Sequence, residues 1–266
     1  MIDKKEQDAI KNNIQTLFEN VKNAAERSGR KKEDITVLLA TKTQSAEKIN
    51  YAGNCGIKYI GENRVQELLE KYDELDRDKF HIHFIGTLQK NKVKYIIDKV
   101  ELIHSVNSLS LAKEIDKQAS KAGKIMDVLL EVNAACEETK TGMTQSELYE
   151  ILPEIAKLQN IRVLGLMAIP PKMEIKGKYG NECENIDENM KKMQNNFDTC
   201  IYFKKIKQIF LDISQKKLDN SSVYSNMQNI SMQILSLGMS GDYIEAIEQG
   251  STLIRPGRAV FGERQK

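Results

Sequence analysis

The sequence predicts an α/β fold, a closed (β/α)8 barrel of the TIM type preceded by one extra helix. Eight short apolar runs alternate with helical patterns, which calls for a parallel sheet buried on both faces. The length of 266 residues suits one such barrel, and eight strands at this length favour closure over an open doubly wound sheet. A helical pattern also stands before the first apolar run.

In that leading segment Ile10, Ile14, Leu17, Phe18, Val21 and Ala25 recur at steps of three and four among charged neighbours, an amphipathic helix ending near Gly29. The first strand is Ile35-Thr36-Val37-Leu38-Leu39-Ala40-Thr41-Lys42, near 35–42, followed by a helix near 45–54. Strand two, near 57–61, precedes a helix near 63–75; strand three, near 83–86, precedes a helix near 89–99. Strand four, near 102–106, leads into a helix near 108–122, and strand five, near 126–133, into one near 144–158. Strand six is read near 161–169, a helix near 187–213, strand seven near 231–238, a helix near 241–249 and strand eight near 252–256. The sixth interval is too long for one helix and two loops. Its excess is polar, near 171–196 and 214–229, and is expected to form flexible insertions in a single domain covering 1–266.

Forty basic residues against 38 acidic ones give a net charge of +2 with no basic block, which speaks against nucleic acid or a membrane surface as partner. Cys55, Cys136, Cys183 and Cys200 form no C-x-x-C pair and read as free thiols without metal. Neither a signal-peptide core nor an apolar stretch of about 18 residues is present, so a soluble, cytoplasmic protein is expected.

Chemistry in such barrels sits at the carboxyl ends of the strands. Strand one delivers Lys42 there. Strands seven and eight end in Gly238-Met239-Ser240-Gly241-Asp242 and Arg255-Pro256-Gly257-Arg258, where glycines, a hydroxyl and a helix start suit an anion such as phosphate. A lysine facing a phosphate site suits pyridoxal 5′-phosphate (PLP), whose aldehyde condenses with an amine. Arg255 could reach the pyridine nitrogen. A guanidinium can only donate, so the ring would stay unprotonated and a poor electron sink.

These residues also carry a resemblance. Ala40-Thr41-Lys42-Thr43, Gly61-Glu62-Asn63 with Gln66-Glu67, His83-Phe84-Ile85-Gly86 with Leu88-Gln89 and Asn91-Lys92, Gly165-Leu166-Met167, Leu235-Ser236-Leu237-Gly238-Met239-Ser240, and Phe261-Gly262 together resemble the pyridoxal phosphate homeostasis protein family, in order from about 35 to 264. The resemblance implies a PLP fold-type III barrel similar to the alanine racemase N-terminal domain. It implies Lys42 as the Schiff-base lysine, Asn63, Met239 and Ser240 around the cofactor, Arg255 at the pyridine nitrogen, and the amides of Gly257 and Arg258 at the phosphate. Where the family usually carries Gly-Thr, this chain has Gly257-Arg258, so a hydroxyl is missing and the Arg258 guanidinium either meets the phosphate or points to solvent.

The family has no established turnover, and the expected function is to hold PLP and act in intracellular PLP homeostasis, with apo PLP enzymes as acceptors. The sequence stops soon after Gly262 without the second domain of alanine racemase, which favours a non-catalytic monomer. The alternatives are a PLP-dependent amino-acid racemase-like enzyme, which needs a second acid-base group opposite Lys42, and a Schiff-base aldolase without cofactor. His81 and His83 are expected to be structural rather than metal ligands. Lys140, in a Lys-x-Gly pattern with Gly142, is a candidate second amine; Lys90, Lys92 and Lys94 read as a solvated face, and Met167 and Met239 as packing residues near the ring.

Overall fold

The structure, a computed structural model, describes residues 2–133, 141–170, 188–218 and 227–263. Helix α1 spans Lys4–Arg27, with the Asp3 side chain accepting from the Glu6 amide at 2.8 Å to cap it. Its buried face is Ile10, Ile14, Leu17, Val21, Ala24 and Ala25, the residues of the predicted stripe with Ala24 added and Phe18 at its edge. The alternation that follows is β1 (Thr36–Ala40), α2 (Ala46–Asn54), β2 (Tyr59–Glu62), α3 (Val65–Lys71), β3 (His81–Phe84) and α4 (Val93–Ile96). It continues with β4 (Leu102–Val106), α5 (Leu109–Lys121), β5 (Met126–Glu131), α6 (Gln145–Ile155), β6 (Ile161–Met167) and α7 (Glu188–Leu218). It ends with β7 (Ile230–Ser236), α8 (Tyr243–Glu248), β8 (Leu253–Ile254) and a short α9 (Arg258–Phe261).

All eight strands pair in parallel and in chain order, and β8 returns to β1 through Thr36↔Leu253 and Val37↔Ile254, closing the barrel. The period of two along each strand divides the apolar residues. Leu39, Ile60, Phe84, Ile103, Val128 and Leu130 join the large core between strands and helices. Leu38, Ile85 and Leu253, with Ala40 and Tyr59, form a separate cluster, as do Leu102, Leu129 and Met167 with Leu164. Helix α1 lies across the closure. Asn13 Nδ2 donates to Val260 O at 2.9 Å, and Asn20 Nδ2 to the Tyr243 hydroxyl at 3.0 Å, fastening it to α9 and α8.

The differences from the sequence reading are local. Strand three begins at His81, where it pairs with Tyr59, and stops at Phe84. The helix expected near 89–99 is a 3-10 turn over Lys90–Lys92 and the single turn of α4, because the Lys99 amide closes back on Ile96 O at 2.9 Å and tightens the chain. The helix near 63–75 ends at Lys71 and passes into another 3-10 turn, Tyr72–Glu74. Helix α7 runs from Glu188 through Leu218, so the chain is helical inside both stretches read as insertions; residues 171–187 and 219–226 lie outside the described residues. The described cysteines, Cys55 and Cys200, are free thiols, and Cys136 and Cys183 fall outside the described residues. Among the described residues no helix is long and apolar enough to cross a membrane.

Candidate functional site

Lys42 leaves the end of β1 half-buried, directly after the fully buried Thr41. It lines a pocket of about 330 Å³ together with Thr43, Asn63, Arg64, Glu67, Gly86 and Thr87. Asn63 follows β2, and its Oδ1 is buried with no hydrogen-bond partner. A buried acceptor left unsatisfied is costly, and this one belongs to a residue of the pocket wall. Gly86 shapes the same wall. A Cβ there would stand 2.0 Å from Asn63 O, so only glycine lets the end of β3 lie against Asn63.

The backbone at Lys42 is under constraint. Thr43 adopts φ 64°, the left-handed region that a β-branched residue avoids. Its amide donates to Glu67 Oε2 at 3.0 Å and its hydroxyl to Lys42 O at 2.6 Å. Beneath this turn Glu62, fully enclosed, accepts from the Thr41 hydroxyl and from Lys71 Nζ at 2.8 Å. Burial pushes the Glu62 carboxyl above its ordinary range, with Lys71 and Thr41 pulling the other way.

Strands one and eight bring the second half of the expected site alongside. Ala40 N donates to Pro256 O at 2.7 Å, which sets Gly257 beside the segment entering Lys42. Gly238, at φ 90°, turns the chain where a Cβ would meet Ala246 Cβ at 2.6 Å and Tyr243 Cα at 2.9 Å. Met239 and Ser240 follow, both half-buried, and the Met239 amide donates to Asp242 Oδ1 at 2.5 Å. The amides of Gly257 and Ala259 converge on Ser240 Oγ at 3.0 and 3.1 Å. Two amides aimed at one oxygen form an arrangement that an anionic oxygen also satisfies. Ala259 was not anticipated in this role. The Arg258 side chain is exposed and pairs with Glu263 at 3.1 Å, so of its two expected orientations it takes the one toward solvent.

Arg255 is 4% exposed. One terminal nitrogen donates to Ser236 O and Oγ at 2.6 and 2.5 Å, the other to Ala168 O at 2.9 Å. Desolvation lowers its pKa to about 10, against the opposing pull of Asp242 and Glu131, and it remains a cation at neutral pH. The Ser236 hydroxyl that accepts from Arg255 also meets His104 Nδ1 at 3.1 Å, and His104 Nε2 meets His83 Nδ1 at 3.1 Å. Because a guanidinium has no acceptor, Arg255 donates to the Ser236 hydroxyl, and the contacts from Ser236 to His104 and from His104 to His83 each carry one proton in a direction set by the imidazole tautomers. Both imidazoles are held neutral by burial, His83 with a pKa lowered to about 3 and His104 well below its ordinary value.

His81 and His83 do different things: His81 pairs with Glu101 at 2.7 Å on the surface, while His83 joins the buried chain. Lys140 lies outside the described residues, and Gly142 adopts φ 112° against the Asn133 backbone. His104, Glu131 and the Glu62–Lys71 pair were missed. Their signal in the sequence was a polar residue inside an apolar strand run: His104 within Leu102–Val106, Glu131 after Val128-Leu129-Leu130, and Glu62 after Ile60-Gly61.

Comparison with known proteins places this geometry in context. The family described as alanine racemase, N-terminal domain, matches residues 7–265. A pyridoxal phosphate homeostasis protein of Aquifex aeolicus is 39% identical over 252 residues, 95% of this chain and 97% of that protein. Its namesake in Escherichia coli is 31% identical over 258 residues, 96% and 97% of the two chains. Among solved structures, an unknown protein from Bifidobacterium adolescentis superposes with a TM-score of 0.78 at 28% identity, covering 98% of each chain. PipY of Synechococcus elongatus, solved with PLP bound, gives a TM-score of 0.72 at 26% identity, covering 95% of this chain and 100% of that one. An alanine racemase from Clostridium difficile, 18% identical with a TM-score of 0.63, shares the fold across 97% of this chain and 58% of its own length.

Proposed function

The chain belongs to the pyridoxal phosphate homeostasis protein family, built on the alanine racemase N-terminal domain, and from that premise we propose that it binds PLP covalently through Lys42 and serves PLP homeostasis without turnover. The observation that carries the reading is the pocket lined by both Lys42 and Asn63, the latter with a buried side-chain oxygen that has no hydrogen-bond partner. The Lys42 amine suits the aldehyde and the converging amides of Gly257 and Ala259 suit the phosphate, so the residues present fit the cofactor. When bound, PLP supplies an aldehyde to the Lys42 amine and an electron-withdrawing ring.

The remaining roles belong to the chain. Gly257 and Ala259 donate amides toward the phosphate, with Ser240 as an exchangeable hydroxyl and the Arg258 amide beside them; Met239 packs near the ring. Arg255 presents a donor-only group to the pyridine nitrogen and so keeps the ring from acting as a strong electron sink. On this reading the protein acts as a single-domain cytoplasmic monomer that passes PLP to apo-enzymes.

Incubation of purified protein with PLP should produce a visible absorption band that borohydride removes, leaving the cofactor mass on the peptide bearing Lys42. Lys42→Ala should show neither. A covalent mass on another peptide, or equal labelling of Lys42→Ala, would overturn the assignment. Amino-acid racemisation abolished by Lys42→Ala would instead establish an enzyme.

A further inference from the structure

Lys71 sits in the last turn of α3, 8% exposed, and contributes nothing to the pocket wall. Its ammonium donates to three acceptors: Glu62 Oε1 at 2.8 Å, Thr41 O at 3.2 Å and Gln44 O at 3.1 Å. An ammonium has three N–H groups, and these use them all. Two of the acceptors are backbone carbonyls on either side of Lys42–Thr43. The third, Glu62, also takes the Thr41 hydroxyl, so one carboxylate oxygen orients both the ammonium and the residue preceding Lys42.

Stability alone does not explain why a lysine and a glutamate are buried here. A buried ion pair is often replaceable by apolar residues of similar volume without loss. What an apolar pair cannot do is grip carbonyls. The turn between them needs holding, because Thr43 is in the left-handed region and its amide is fixed from outside by Glu67, itself paired to Arg64 at 3.5 Å.

We infer that Lys71, oriented by Glu62, is a positioning residue for Lys42: it ties the two ends of the 41–44 turn together and so fixes the direction in which the Lys42 amine enters the pocket. The inference rests on Lys42 being the attachment amine.

The test compares wild type with Glu62→Gln/Lys71→Met, a neutral pair of similar volume that leaves no buried charge unmatched. The double variant should fold, with a melting temperature lowered by several degrees for the two carbonyl bonds it gives up. In the cofactor-free protein, hydrogen exchange of the Thr43 and Gln44 amides should accelerate at least about tenfold, the loss expected from even one of the two hydrogen bonds to the ammonium. The rate of PLP attachment, followed by absorbance and borohydride trapping, should fall by about the same factor. Glu62→Gln/Lys71→Leu is a second neutral pair, and whichever double variant folds decides the matter. A folded double variant with wild-type exchange and wild-type attachment overturns the inference. If wild type itself attaches no PLP, the proposed function falls, and the exchange comparison still decides whether Lys71 holds the turn.

Discussion

Replacing His83 by glutamine should flatten the acid side of the stability curve. His83 is 5% exposed, and desolvation, reinforced by His81, lowers its pKa from 6.5 to about 3 in the folded protein. The folded-state value lies below the unfolded one. The unfolded chain therefore takes up a proton between these values that the folded chain refuses, and stability is lost as pH falls from about 6.5 toward 3. At pH 5, about 1.5 below the unfolded value, 1.36 kcal/mol per pH unit gives a loss of about 2 kcal/mol from this residue alone. Glu62, Glu131 and Asp242 act in the opposite sense. Burial raises their carboxyl pKa values, so they favour the folded state as pH falls, but they are common to both proteins and cancel in the comparison. Glutamine keeps an amide for His104 Nε2 and does not titrate. Urea unfolding of wild type and His83→Gln at pH 7 and pH 5 should show wild type losing about 2 kcal/mol more between the two conditions. Equal losses, within about 0.5 kcal/mol, would refute the claim that His83 is held neutral by its burial.

Two further outcomes follow from the site. Gly86→Ala should cost about 1–3 kcal/mol in unfolding free energy, because its Cβ would stand 2.0 Å from Asn63 O and the ends of β2 and β3 must part; PLP affinity should fall with it, and a stable, fully binding variant would show the contact to be unimportant. Arg258→Ala should leave PLP affinity within about twofold of wild type by equilibrium titration, since the exposed guanidinium is engaged by Glu263 and an exposed pair of this kind contributes about 0–1 kcal/mol.

The barrel was legible because its signal is periodic. Each strand carries a buried run and each helix an apolar stripe, and the residues placed at strand ends, Lys42, Asn63, Ser240 and Arg255, are where eightfold alternation puts them. What escaped is polarity inside that pattern. His104 lies in Leu102-Ile103-His104-Ser105-Val106, a run that reads as ordinary buried strand; pairing of β4 with β3 brings it to His83, 21 positions away, and closure of the barrel brings it to Ser236, 132 positions away. Lys71 escaped for a different reason: it occupies a helix end where a lysine is ordinarily solvated. Its burial depends on three acceptors from other segments, none of which helical periodicity can reveal. The short α4 and α9 were blurred by tight turns whose i−3 bonds leave no mark in composition.

Arg255 joins the structural and chemical parts of this barrel. A guanidinium buried to 4% exposure must be supplied with acceptors, and it finds them on two other segments, at Ser236 closing β7 and at Ala168 after β6. Its planar fork spans both at once, so the ends of β6, β7 and β8 are cross-linked at the barrel mouth by one side chain. A lysine would bring a single nitrogen and could not reproduce that span. The same side chain is linked through the Ser236 hydroxyl to His104 and on to His83, two imidazoles that burial keeps neutral. The Glu131 and Asp242 carboxyls, both pushed up by burial, face the same guanidinium, so Arg255 is balanced by two acids on one side and linked to two neutral imidazoles on the other.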